Sequence, residues 1–317
     1  MPDERVDVLV VGAGLSGLVL LRELEARGVD ALALEASGRP GGVAWTFEAE
    51  GRLLEYGPQR IRPSGPVGDL VRTLGLEDRL LVSPGELPLF VYRGGSLGRI
   101  PLSVGELLGT RLLSPAAKLR LLAEPLTGPA RPGETVAGFL TRKLGREAYL
   151  HLAGPLYGGL YGSDPSEMLV EESLGHILRR FGVGRSLGIA AVRMMGRRGQ
   201  APPPATFFGG MAELPRALER EHAGRIRFRT RVVDLRRDGD GWRAVVARGG
   251  GETAEEGRAE GADGPVRAEG AGAPVGAGAG VVEIAADRVA LTVPAPEAAP
   301  LLRGQAPEAA ERVGRLR

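Results

Sequence analysis

A chain of 317 residues, 43% of them hydrophobic, can bury a large core, and its length suggests about two domains. It has no cysteine, which excludes disulfides, thiol catalysis and cysteine-based metal sites. The formal charge is only +2, carried almost wholly by arginine with Lys118 and Lys143 as the lysines, and no block of like charge favours nucleic acid as a partner.

The first element is a continuous apolar run, Val6-Asp7-Val8-Leu9-Val10-Val11, suited to a parallel strand buried on both faces. The pattern Gly12-Ala13-Gly14-Leu15-Ser16-Gly17 follows, and a helix opening at Leu15 runs into the amphipathic segment Leu18 to Arg27. A second apolar run ends at Glu35. The leading run follows acidic residues and belongs to this unit, so no signal peptide is visible and a cytoplasmic location is expected. No apolar run is long enough to span a membrane.

Further along, Trp45 to Tyr56 reads as a hairpin turning at Glu50-Gly51, and Gly57-Pro58-Gln59-Arg60-Ile61-Arg62-Pro63 as a rigid turn. A helix is predicted over Val67–Leu76 and a strand over Leu89–Arg93, entering a Gly94-Gly95 turn. From Val104 to Phe181 the spacing becomes helical, over Glu106–Leu113, Ala116–Leu122, Val136–Leu144 and Ala148–Leu156. That block reads as a helical insertion.

After Pro202-Pro203-Pro204 comes the Phe207-Phe208-Gly209-Gly210-Met211 segment, then a helix over Leu214–Arg220 that tolerates Pro215 in its first turn. Strands are predicted at Ile226–Phe228, Val232–Leu235 and Gly241–Val246, the last two joined by the Asp238-Gly239-Asp240-Gly241 turn. Gly249 to Gly280 is low-complexity sequence, too poor in apolar residues to offset its ordering entropy. With no helix after it, it reads as a spacer at a hairpin tip and not as a phosphate loop. A strand at Val281–Ile284, a separate buried strand at Arg288–Pro294 and a short Ala/Glu/Arg helix close the chain.

The chemistry concentrates at the start. Gly12 permits a tight turn, Gly14 lets the backbone approach a pyrophosphate, and Gly17 lets the helix pack closely on the strand. The helix N-terminus offers unpaired N–H groups and the positive end of its dipole to phosphates. Glu35 is placed to accept hydrogen bonds from an adenosine ribose. NAD and FAD would both use this much. Arg39, Gly41 and Gly42 add a cation and a second close-approach backbone beside the same pyrophosphate, which suits FAD held permanently along one groove. His151, His176 and His222 are scattered and read as packing or surface histidines, so no metal site is expected.

The run Leu34-Glu35-Ala36-Ser37-Gly38-Arg39-Pro40-Gly41-Gly42, followed by Glu55-Tyr56-Gly57-Pro58, resembles the amine-oxidase-like FAD enzymes. Ile61-Arg62-Pro63, Phe139 to Ala148, Gly158 to Pro165 and Gly209 to Leu218 are similar, in order, to the porphyrinogen oxidase branch of that family. The likeness covers essentially the whole chain apart from the low-complexity stretch. It implies an α/β fold: a Rossmann-like FAD-binding domain of the GR2/amine-oxidase type, an inserted helical domain and part of a substrate-domain sheet. The expected boundaries are 1–85 and 201–317 for the two parts of the FAD-binding domain and 86–200 for the insertion.

The resemblance also implies roles. Gly12, Ala13, Gly14, Leu15, Ser16, Gly17, Glu35, Ala36, Arg39, Gly41, Gly42 and Val43 would hold FAD. Gly57, Pro58, Gln59 and Arg60 would lie along the isoalloxazine, and the Val232 backbone would meet the adenine side. The substrate would be a porphyrinogen, either protoporphyrinogen IX or coproporphyrinogen III, with Arg60, Arg62 or Arg93 pairing its carboxylates. The helical block would form a substrate cleft and a surface for peripheral membrane contact, and a homodimer is compatible with the family. Hydride would pass from a meso carbon to flavin N5, with oxygen or another acceptor reoxidising the flavin; the cofactor carries the hard chemistry, so no catalytic side-chain constellation is required. Two departures stand out. Relatives continue past the equivalent of Arg317 with a second glycine-rich FAD segment, so the chain reads as truncated; a non-catalytic FAD-binding remnant, or another amine-oxidase-like flavoenzyme, is the alternative. Leu89 stands where relatives often place a basic residue.

Overall fold

The computed structural model describes residues 4–84, 87–180, 186–188, 202–248 and 280–316. The chain enters through β1 (Glu4–Val11), α1 (Leu15–Glu25) and β2 (Ala31–Leu34), then β3 (Thr46–Ala49), β4 (Arg52–Glu55), α2 (Pro66–Thr73) and β5 (Leu80–Val82). Next come β6 (Phe90–Arg93), β7 (Ser96–Arg99), α3 (Val104–Gly109), α4 (Pro115–Leu122), α5 (Val136–Leu144), α6 (Arg146–Ala148), α7 (Gly154–Tyr161) and α8 (Gly175–Arg180). The remainder is β8 (Ala205–Phe207), α9 (Glu213–Glu221), β9 (Ile226–Arg227), β10 (Thr230–Asp238), β11 (Gly241–Arg248), β12 (Gly280–Leu291), α10 (Ala295–Leu302) and α11 (Pro307–Gly314). Two compact units result, Met1–Ser83 with Pro203–Arg317, and Pro84–Pro202.

The first unit is built on a six-stranded mixed sheet in the order β10-β11-β12-β1-β2-β9. β1 lies parallel to both β2 and β12, with Val10 opposite Ala33 on one side and Ala290 on the other. Its apolar run is continuous because both faces are covered. Val8 and Val10 pack with Leu18, Leu21 and Leu218 of α1 and α9, while Leu9 and Val11 pack with Val232, Leu235 and Val246 of the β10–β11 hairpin. An isolated helix of 11 residues would be marginal in water. Burial of Leu18 and Leu21, worth roughly 1.5–3 kcal/mol each, is what holds α1 in place.

Several elements differ from the sequence expectations. The two strands predicted at Val281–Ile284 and Arg288–Pro294 are one, β12, whose first half pairs antiparallel with β11 and whose second half pairs parallel with β1. Asp287 interrupts the apolar pattern without interrupting the ladder, because two different neighbours supply the hydrogen bonds. Nor is its second half fully buried: Arg288 is exposed and Val289 and Leu291 are half-buried. The closing helix is two, α10 and α11, the second started by Pro307 at its first position. α2 ends at Thr73, short of Leu76, because Gly75 turns left-handed with φ 65°. β5, paired with β8, had no signal in the sequence; three residues are too few to show a period. The low-complexity stretch lies outside the described residues except for Gly280.

The second unit joins the β6–β7 hairpin to short helices. Ser103, Ser114 and Thr135 each cap a helix by accepting a backbone N–H, those of Glu106, Ala117 and Gly138 respectively. Its core is Val136, Phe139, Leu140, Tyr157 and Val170. Lys143 is buried in it, pairing with Glu124 at 2.9 Å. Between α6 and α7 the helix widens into a π-helical turn over Tyr149–Ala153, a feature often found at functional sites.

Candidate active site: a dinucleotide grip

Sheet topology places the grip. Leaving β1 the chain moves to β2 on one side while β12 flanks β1 on the other, so the carboxyl end of β1 lies at a switch point where open α/β sheets hold ligands. The glycine turn occupies that position.

Its three glycines do different work. Gly12 has φ 100°, and a Cβ there would sit 2.9 Å from Val293 Cγ1. At Gly17 a Cβ would fall 2.0 Å from the Gly12 carbonyl oxygen, so the first turn of α1 packs directly on the β1 turn. Gly14 is different. Its φ of −62° and ψ of 172° suit any residue, and a Cβ would meet nothing within 4 Å. Neither backbone nor protein packing requires glycine there; what it leaves is open space beside the N-terminus of α1. Gly14 has no side chain to cap that helix, and its first-turn N–H groups lack intrahelical acceptors. Donors, dipole and free volume together fit a pyrophosphate.

The second glycine pair lies against the first. The Gly41 N–H donates to the Ala13 carbonyl at 2.8 Å, and a Cβ on Gly42 would touch the Gly14 Cα at 3.4 Å. Both glycines have positive φ, 98° and 58°. Beneath Gly41 sits Pro215 of α9, whose Cγ would be 2.7 Å from a Cβ. Arg39 donates to the Gly42 carbonyl at 2.8 Å and stacks over Trp45 at 4.2 Å, fixing its charge to this loop.

Glu35 follows β2 directly. Its carboxylate accepts the Ala13 N–H on one oxygen and the Ser37 N–H on the other, both at 2.8 Å, tying the glycine turn to the loop after β2. Each oxygen keeps a lone pair for ribose hydroxyls. Glu35→Ala removes this tie together with the acceptors, and FAD titrated against the variant should bind about tenfold to a hundredfold more weakly, the cost of losing charge-assisted hydrogen bonds. Unchanged affinity would place the ribose elsewhere. Val232 comes two residues after Thr230, whose N–H donates to the Glu35 carbonyl at 2.8 Å, so β10 begins beside the end of β2.

Gly57 is held against Val43, whose carbonyl oxygen would be 2.2 Å from a Cβ at position 57. Pro58, Gln59, Arg60 and Arg62 are exposed on the turn after β4. Arg93, at the end of β6, belongs to the second unit. His222 is buried against Glu25, and His151 Nδ1 meets Arg93; the His176 side chain lies outside the described residues. No cluster of three or more metal-ligating side chains occurs among the described residues.

Two supporting features escaped the sequence reading. The Thr292 hydroxyl lies 2.9 Å from the carbonyls of both Val11 and Gly12, bracing the turn from β12. Thr46 donates to Glu55 at 2.7 Å, and this pair accepts the N–H groups of Ala212 and Met211 at 3.0 and 2.8 Å. Gly210 permits that approach, since a Cβ would lie 2.3 Å from Thr46 Cγ2. The Glu55-Tyr56-Gly57 and Gly209-Gly210-Met211 motifs are thus two halves of one contact. Arg79 holds the Glu213 carboxyl below the usual carboxylate range through a bidentate pair at 2.9 Å, against the opposing effect of burial.

The sequence profile described as flavin containing amine oxidoreductase matches residues 15–315. The chain belongs to that family. Its cofactor is accordingly FAD. The chain is 30% identical to the chloroplastic protoporphyrinogen oxidase of Oryza sativa subsp. japonica, over 98% of this chain and 57% of the relative. It is 30% identical to the coproporphyrinogen III oxidase of Staphylococcus aureus over 50% of this chain and 36% of that one. A crystal structure from Exiguobacterium sp. 255-15, provisionally named a protoporphyrinogen oxidase, superposes with a TM-score of 0.65 at 22% identity, covering 98% of this chain and 64% of the other; that likeness concerns the fold. The chain therefore spans little more than half the length of the rice relative.

Proposed function

We propose that this flavin amine oxidoreductase oxidises a porphyrinogen, protoporphyrinogen IX or coproporphyrinogen III, to the corresponding porphyrin in haem biosynthesis. The observation that carries this reading is the likeness to the rice protoporphyrinogen oxidase along 98% of the chain, which includes the helical unit that generic nucleotide motifs leave unexplained. Bound FAD would supply the hydride acceptor, with oxygen as the final oxidant.

The chain's own residues position and bind. The helix N-terminus beside Gly14 neutralises pyrophosphate charge, Glu35 holds the ribose, and Val43 with Gly57 to Arg60 lines the approach to the ring. Arg60 and Arg62 pair with carboxylates of the macrocycle, matching charge without a catalytic acid or base. The helical unit contacts lipid peripherally, a reading supported by Leu122 and Leu126 at 75% and 87% exposure on and after α4. Among the described residues no helix is long and apolar enough to cross a membrane.

Reconstitution with FAD followed by separate incubation with each porphyrinogen tests the reading by porphyrin fluorescence. Yellow protein that converts one or both substrates is the expected result. FAD-loaded protein that turns over neither would overturn the substrate assignment while leaving the family intact.

A further inference from the structure

Aromatic residues make up only 4% of the chain. Three of them, Trp45, Phe47 and Tyr56, nonetheless meet beside the Gly41-Gly42 turn: the Trp45 ring centroid lies 5.3 Å from that of Phe47 and 5.5 Å from that of Tyr56. All three are half-buried and none belongs to a buried hydrophobic cluster of the described residues, so the needs of the core do not account for the trio. What it touches is a charge. The Arg39 guanidinium stacks on the indole at 4.2 Å.

The backbone fixes the indole. The Trp45 N–H donates to the Val43 carbonyl at 2.9 Å and the Trp45 carbonyl accepts the Tyr56 N–H at 2.9 Å, while the two neighbouring rings bound its side chain. An arginine, by contrast, has a long stem and much rotamer freedom to lose. Covering one face of its guanidinium with a fixed ring restrains it without consuming any in-plane N–H donor. One of those donors, on Nη1, reaches the Gly42 carbonyl at 2.8 Å, and Gly42 packs against Gly14, whose Cα would lie 3.4 Å from a Cβ at position 42. The line of contacts from Trp45 through Arg39 and Gly42 thus ends at the open space beside the N-terminus of α1.

We infer that Trp45 is a positioning residue for the cofactor: it preorganises the Arg39 charge for the FAD diphosphate, and the affinity of the site depends on the indole through that arginine. The inference rests on the reading of the glycine turn and Arg39 as the diphosphate grip. A charge already restrained beside the site has less entropy to lose when the diphosphate binds. A cation–π contact is worth roughly twofold to thirtyfold in an equilibrium constant, which bounds the affinity at stake.

FAD titrated calorimetrically into the apoprotein tests this through a double-mutant cycle. Trp45→Leu should weaken FAD about tenfold, and Trp45→Phe, which keeps an aromatic face, should recover most of that loss. Arg39→Gln should weaken it about tenfold or more. Adding Trp45→Leu to Arg39→Gln should cost nothing further, because the indole then has no cation to hold. Circular dichroism checks folding; if Trp45→Leu does not fold, Trp45→Phe with and without Arg39→Gln makes the same comparison, its smaller loss being expected only beside the arginine. Equal losses in the Leu and Phe variants, or losses that add in the double variant, would overturn the inference in favour of packing by the ring. Glu35→Ala separates it from the reading it rests on. If that variant weakens FAD while Trp45→Leu does not, the role of Trp45 falls and the grip stands; affinity unchanged in Glu35→Ala, Arg39→Gln and Trp45→Leu alike would overturn both.

Discussion

Gly14→Val should leave the protein folded and strip it of FAD. The backbone at Gly14 is extended, with φ −62°, and a Cβ there has no neighbour within 4 Å, so valine costs the protein little beyond the ±0.5 kcal/mol or so typical of an open site. Its methyl groups would instead fill the space beside the first-turn N–H groups of α1. Loss of close pyrophosphate contact there should weaken FAD by about a hundredfold or more, since several charge-assisted hydrogen bonds fail together. The measurement is flavin absorbance retained after desalting, alongside the thermal midpoint. Gly17→Ala is the contrasting variant, because its Cβ would strike the Gly12 carbonyl oxygen at 2.0 Å and the unit itself should be lost. A Gly14→Val protein that keeps its full complement of FAD would show that this glycine does not face the cofactor.

Lys143→Met should cost the second unit about 3–5 kcal/mol, the usual penalty for leaving a buried charge without its partner. Lys143 and Glu124 have side chains only 1% and 5% exposed and meet at 2.9 Å. Glu124 also accepts the Ser186 hydroxyl at 2.5 Å and the Leu187 N–H at 2.9 Å. Burial pushes the Glu124 carboxyl up, yet the hydrogen bonds from Lys143, Ser186 and Leu187 outweigh it and hold the group below the usual carboxylate range. A depressed folded value means that the stabilisation is present at neutral pH and is lost as pH falls through that value. In Lys143→Met the same carboxyl keeps its hydrogen bonds from Ser186 and Leu187 but loses the bond and charge of the lysine against the same burial, so it rises. The deficit against wild type should therefore be largest at neutral pH and shrink on acidification, as read by denaturant unfolding across that range. Lys143→Met combined with Glu124→Leu should recover most of the loss, because removing both charges removes the unpaired one. A deficit independent of pH would mean that packing around the lysine stem, and not the charge, accounts for the effect.

How much was legible in the chain varied with the range of the interaction. β1, α1 and β2 were readable because each carries its own period and the glycine spacing sits between them. The β3–β4 hairpin turned at Glu50-Gly51 as expected, since the left-handed backbone of both residues, φ 51° and 69°, is a local demand. β12 was misread as two strands because its continuity depends on β11 and β1, neither of which is near it in sequence. β5 was missed for the same reason; only its pairing with β8, more than a hundred residues later, makes it a strand.

The candidate site divides along the same line. By itself the sequence determined a dinucleotide grip, its narrowing to FAD and its family, because those rest on short motifs whose geometry is set by neighbours in the chain. Only the tertiary structure decided what each glycine is for: Gly17 yields to the Gly12 carbonyl, Gly41 to Pro215, Gly210 to Thr46, and Gly14 to nothing in the protein. It also joined Thr292 to the turn after β1 and set Arg93 against His151. Those are contacts between residues distant in sequence, and such contacts leave no period or spacing in a single chain to be read.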